Sequence, residues 1–229
     1  MKRSKTARYL CQLALALATG LILGMPVRGQ QIPGYSDNVR YAFDARELAL
    51  LPRYCMYTLV FRDNVQGGNS PEEITRWTLL MGPGYNHVHH YCWGLMYTNR
   101  ALLLVRDQQT RTHYLSNAVG EFEYVIQRVP RDFKLLPEIL TRKGENLIRL
   151  ERNAEGIEEL ERAIALKADY WPPYAAISDY YRSFGEPAKA RKWLEEGLSA
   201  SPNSHALTRR LAELDAQQAK GNSRPPAAH

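Results

Sequence analysis

An internal period of 34 residues constrains this chain more than any other feature. Segment 137–170 ("PEILTRKGENLIRLERNAEGIEELERAIALKADY") and segment 171–204 ("WPPYAAISDYYRSFGEPAKARKWLEEGLSASPNS") superpose without a gap. Small residues hold the eighth place in both (Gly144, Ser178) and the twentieth (Gly156, Ala190). Large apolar residues recur at the eleventh place (Leu147, Tyr181) and the twenty-fourth (Leu160, Leu194). Small side chains let two helices approach closely, and large ones fill the groove between them. Each segment therefore reads as a helical hairpin whose apolar faces need neighbouring hairpins for burial.

A period of this kind resembles the tetratricopeptide repeat. The resemblance is carried by Tyr174, Ile177, Ser178, Tyr181, Gly185, Ala190, Leu194, Gly197 and Pro202 in the second segment. The first segment departs at its end, where Ala168 stands in place of proline. Upstream, Trp93, Gly94 and Tyr97 fit the seventh, eighth and eleventh places, and Ala118, Phe122, Val125 and Pro130 fit a second helix. Gly94 and Ala118 are 24 residues apart, twice the family's spacing, so "TNRALLLVRDQQTRTH" lengthens both helices of that hairpin. The resemblance implies an all-α fold, a short α-solenoid. Residues 87–133 would form a degenerate long hairpin, 137–204 two repeats, 205–219 a capping helix with Leu207, Leu211 and Leu214 on one face, and 220–229 a disordered tail.

Residues 30–86 read as an N-terminal helical segment. Asp44 and Glu47 have the spacing of a capping box, and Pro52 opens a second apolar run, "RYCMYTLVF". Ser70, Pro71, Glu72 and Glu73 supply an N-cap, a proline at the first helical position and acids in the first turn. Gly67-Gly68-Asn69 is the expected turn between these pieces.

Residues 1–29 have the layout of a secretory signal peptide: basic Lys2, Arg3, Lys5 and Arg8, an apolar run Tyr9–Leu23, and Val27-Arg28-Gly29 before Gln30. The alternative is an inner-membrane anchor over residues 9–27, although Gln12, Gly20, Gly24 and Pro26 interrupt it. This segment holds five basic residues and no acids. Without it the charge falls from +6 to +1, with 25 basic residues against 24 acidic. So balanced a chain has no field for nucleic acid, and a membrane would be met only through the N-terminal segment. Cys11 leaves with the signal, and Cys55 and Cys92 remain. An even pair in an exported, periplasmic protein reads as a disulfide, with free thiols and metal ligation as the other readings.

The stretch "GPGYNHVHHYCWGL" gathers His87, His89, His90 and Cys92. His87 and His90 are three apart, as are His89 and Cys92, so the two pairs lie on different helix faces. No pair has the four-residue spacing with which two imidazoles of one helix chelate zinc in metalloproteases. A surface or packing role and a metal-binding or metal-delivery role both stay open. No G-x-S-x-G, phosphate-binding glycine loop or protease-type Cys-His setting occurs, so neither catalysis nor a cofactor is expected.

The family resemblance implies a concave surface lined by the first helix of each hairpin, binding a protein or peptide partner. Place by place, it implicates Tyr91 and Asn99, then Glu138, Thr141, Glu145 and Arg149, then Asp179 and Arg182, with Arg209 on the cap. The family's clamp for a carboxylate terminus uses lysine at the fifth place and asparagine at the ninth. Here Thr141/Glu145 and Ala175/Asp179 stand instead, which implies a mixed-charge surface. The expectation is a non-enzymatic periplasmic scaffold or adaptor, serving envelope assembly or polymer export.

Overall fold

The computed structural model describes residues 44–222, and the signal or anchor segment expected over 1–29 lies outside them. Among the described residues the structure is all-α, as expected from the sequence. A short α1 (Ala45–Leu48) is followed by a 3₁₀ turn (Arg53–Tyr57), α2 (Phe61–Asn64) and α3 (Pro71–Met81). A second 3₁₀ turn (Gly82–His87) leads into α4 (Val88–Asn99), which widens into a π-helical end at Arg100–Leu104. Then come α5 (Gln108–Ile126), α6 (Leu136–Arg149), α7 (Asn153–Leu166), α8 (Pro172–Ser183), α9 (Pro187–Ala200) and α10 (His205–Asn222). None of these helices is long and apolar enough to cross a membrane.

The hairpins α4–α5, α6–α7 and α8–α9 stack in chain order, and α10 packs on α9. Their close approach is written in the small residues. A Cβ on Gly144 would stand 2.7 Å from the Gly156 carbonyl oxygen, and one on Gly94 would enter the ring of Phe122. The turns use the same backbone device in two chemistries. Gly185 closes α8 with φ +70°, and Glu151, at the equivalent place after α6, adopts φ +63°. A side chain in that left-handed region costs about 1–2 kcal/mol, which glycine avoids.

The first hairpin is longer than the others. Its 12-residue α4 continues through five π-helical residues, and its α5 has 19 residues. The chain turns at Val105–Asp107, where Asp107 caps α5 by accepting from the Thr110 amide at 2.8 Å. The π-helical end is a departure from the plain extension expected. Ala101 there is wholly buried while Leu102, Leu103 and Leu104 are exposed.

The N-terminal segment differs more. Ser70 caps α3 as expected, accepting from the Glu73 amide at 3.4 Å. The capping box at Asp44 forms only in part: Asp44 accepts from the Arg46 amide at 2.7 Å. Glu47 instead turns inward, and Arg100 donates to it at 2.7 and 3.1 Å. The run after Pro52 does not form one helix, because Val60 breaks it with φ +70°. Cys55 and Cys92 form a disulfide across 37 residues, fastening the first 3₁₀ turn to α4.

Candidate functional site

Successive first helices pack directly, α6 against α8, and their facing side chains leave an open groove of about 230 Å³. It is lined by Glu145, Ile148 and Arg149 from α6 and by Ala176, Asp179, Tyr180 and Ser183 from α8. Helical spacing explains the set. Glu145, Ile148 and Arg149 fall at i, i+3 and i+4, as do Ala176, Asp179 and Tyr180, so each triplet occupies one helix face.

The charges in this groove are arranged in shared pairs. Glu145 lies 3.3 Å from Arg142 and 3.8 Å from Arg149, and Arg149 also donates to Asn146 at 3.0 Å. Asp179 accepts from Arg182 at 3.0 Å and from Arg210 of α10 at 3.3 Å. Four guanidiniums therefore serve two carboxylates, and each arginine carries more donors than one carboxylate can satisfy. Tyr180 supplies an aromatic wall, with the exposed ring of Phe184 4.8 Å from its own. The chemistry suits an extended chain that offers hydrogen-bonding groups and an apolar side chain.

Of the residues implicated from sequence, the structure brings Glu145, Arg149 and Asp179 into this groove, with Arg182 held against Asp179. Tyr91 and Thr141 are corrections, since both are buried, at 0% and 2% exposure. They share the fifth place of their repeats with Ala175, also buried, and this place faces the seam between neighbouring hairpins. Tyr91 donates across that seam to Glu138 at 2.7 Å, and Thr141 donates to the Pro137 carbonyl at 2.8 Å. Asn99 ends α4, half-buried and outside the groove lining. On the cap, Arg209 faces solvent and pairs with Glu213 at 3.7 Å. Its neighbour Arg210, missed from sequence, reaches Asp179 instead. A helix places consecutive residues about 100° apart, and no repeat motif sets the register of the cap.

Glu138 has a further neighbour that the repeat pattern could not reveal. Burial and the nearby Glu138 carboxylate push the Tyr54 phenol far up, and Arg142 and Tyr170 also lie within electrostatic reach. The Tyr54 hydroxyl is buried without a hydrogen-bond partner. Tyr54 belongs to the 3₁₀ turn that the disulfide holds on α4, and it packs edge-on against Trp77. Tyr54 of the chain's own N-terminal segment thus lies within electrostatic reach of Glu138 on α6, while the Glu145–Arg149 end lines the open groove.

The histidines lie near one another, with the His89 and His90 rings 4.2 Å apart, but their nitrogens are engaged separately. The Nδ1–H of His89 donates to the Asn86 carbonyl at 3.0 Å, and burial, with His90 and His87 nearby, pushes its pKa down to about 4. His90 donates to Glu121 at 2.5 Å and stacks on Tyr124, whose ring also carries the Arg128 guanidinium at 3.6 Å. Cys92 is a disulfide sulfur, not a thiolate, so it leaves the proposed ligand set. Among the described residues, no three His, Cys, Asp or Glu side chains are gathered as a metal site requires.

Comparison with known proteins gives one family. The model of the tetratricopeptide repeat matches residues 171–214, which span α8, α9 and the first half of α10. No curated protein matches the chain.

Proposed function

We propose that this chain, a tetratricopeptide-repeat protein by its match over residues 171–214, is a non-enzymatic adaptor that holds an extended segment of a partner protein. Repeats of this family generally mediate binding to partner proteins. The observation that carries the reading is the open groove between α6 and α8, where Glu145, Arg149, Asp179 and Tyr180 share one face. The place of action is a compartment outside the cytosol, the periplasm of a bacterium. The basic and apolar residues of the N-terminal segment support that location, as does the Cys55–Cys92 disulfide, a bond that persists in oxidising compartments.

Charge reversal tests the groove. Arg149→Glu with Arg182→Glu should abolish capture of the partner from a native extract. Both side chains are at least a third exposed, so the melting temperature should stay close to that of the wild type. Exposed changes usually alter stability by about 0.5 kcal/mol or less. A photo-crosslinking residue in place of Ser183, in the groove, should join the same partner, and one in place of Glu158, exposed on α7, should not. Equal capture by the double variant, with crosslinks from both positions, would remove the groove as the binding surface.

A further inference from the structure

The lengthened first hairpin ends in three consecutive exposed leucines. Leu102, Leu103 and Leu104 are 45%, 63% and 45% exposed on the π-helical end of α4. Successive residues of any helix are turned about its axis, so three neighbours in a row point in different directions around the tip. A flat protein partner could cover one or two of them. A fluid medium that closes around a projection can cover all three. The tip also lacks the aromatic residues that enrich protein interfaces.

The surroundings of the tip carry cations. Between Ala101 and Gly120 the chain has the exposed Arg106, the half-buried Arg111 with its Nε enclosed, and a single acid, Asp107, which is engaged in capping α5. At the base of the tip, Arg100 is bonded to Glu47, only three residues after the first described residue. The described residues therefore begin close to the base of the tip. The residues before that point include the apolar run Tyr9–Leu23 and the basic residues Lys2, Arg3, Lys5 and Arg8.

We infer that the Leu102–Leu104 tip is a bilayer-contact element, inserting its leucines at the boundary of headgroups and acyl chains while the exposed Arg106 meets anionic lipid phosphates. Leucine beside arginine is the composition with which peripheral proteins enter that boundary, and arginine stems lie along apolar surface while the guanidinium stays in the polar layer. The tip shares no residue with the groove between α6 and α8. The adaptor would thus hold its partner on one surface and rest on a membrane with another.

The full chain tests this, with Cys11→Ser to leave one reactive site and Leu103→Cys to carry an environment-sensitive nitrobenzoxadiazole label. On vesicles of phosphatidylcholine with about a third phosphatidylglycerol, an anionic surface, the label should brighten several-fold and shift to the blue. The same label on Lys192→Cys, exposed on α9, should not respond. Adding Leu102→Ser and Leu104→Ser should abolish the response, and Arg106→Glu should raise the half-saturating lipid concentration several-fold. Two results would overturn the inference. One is a label that stays in a polar environment while the protein floats with the vesicles, held by its apolar N-terminal run. The other is a blue shift that grows with protein concentration in the absence of lipid, which would identify a second copy as the occupant.

Discussion

Gly144 and Gly156 bring α6 and α7 together so closely that a Cβ on Gly144 would stand 2.7 Å from the Gly156 carbonyl oxygen. The oxygen belongs to backbone and cannot swing away. Gly144→Ala should therefore destabilise the protein by about 1–3 kcal/mol, the usual cost of overpacking a tight contact. Gly120 is the opposite case, an exposed mid-helix glycine of α5 with open space where its Cβ would be. Gly120→Ala should stabilise by about 1 kcal/mol through helix propensity alone. Urea denaturation of the two variants should give shifts of opposite sign.

The disulfide is expected to matter both for stability and for how the first 3₁₀ turn is held. Closing a loop across 37 residues should stabilise by about 3–4 kcal/mol on the chain-entropy model. Cys55→Ala with Cys92→Ala should lose that amount in denaturant titration. It should also free the 3₁₀ turn carrying Tyr54, so that limited proteolysis cuts between residues 53 and 65 sooner than in the wild type.

An ion cluster with Lys143 and Glu159 at its enclosed centre ties three helices together. Lys143 of α6 donates to Glu159 of α7 at 2.7 Å and also to Glu123 of α5, and Arg162 meets Glu159 at 2.7 Å. Burial alone would lower the Lys143 pKa, but its hydrogen bonds to Glu123 and Glu159 prevail and raise it. Lys143→Met leaves Glu159, 8% exposed, with Arg162 as its remaining cation. The expected cost is about 1–3 kcal/mol, because Arg162 still balances the Glu159 charge while the buried Oε1 loses its hydrogen bond. Lys143→Met combined with Glu159→Leu should recover most of it, and a double-mutant cycle measures the coupling.

His89 should make stability depend on acidity. Its pKa falls from 6.5 to about 4 on folding, chiefly through burial. The unfolded chain therefore takes up a proton before the folded one does. Its contribution to stability is fully present above pH 6.5 and is lost as the pH falls toward 4. His89→Asn should flatten the melting temperature over that window and leave it nearly unchanged at pH 8.

The 34-residue register was legible because a repeat states its contacts locally. Gly144 with Gly156 and Tyr174 with Gly197 meet within one hairpin, at spacings that recur from one segment to the next. The Cys55–Cys92 pairing was legible from arithmetic, since two cysteines remain after the expected processing. Ser70 was a readable cap because capping involves neighbours three residues apart. Contacts between hairpins were not legible. Tyr91 occupies a place that the motif assigns to the open face, but the next hairpin seats Glu138 against it, 47 residues away. Glu47 has a capping residue's spacing, but the attraction of Arg100, 53 residues away, turns it inward. Arg210 rather than Arg209 faces Asp179 because α10 takes its rotation from packing on α9, not from a repeat. Helix type, hairpin pairing and cysteine pairing rest on short-range spacing, which the chain carries in its own order. Which part of the inner face stays open depends on how separate hairpins and the N-terminal turn settle against one another, and only the tertiary packing decides that.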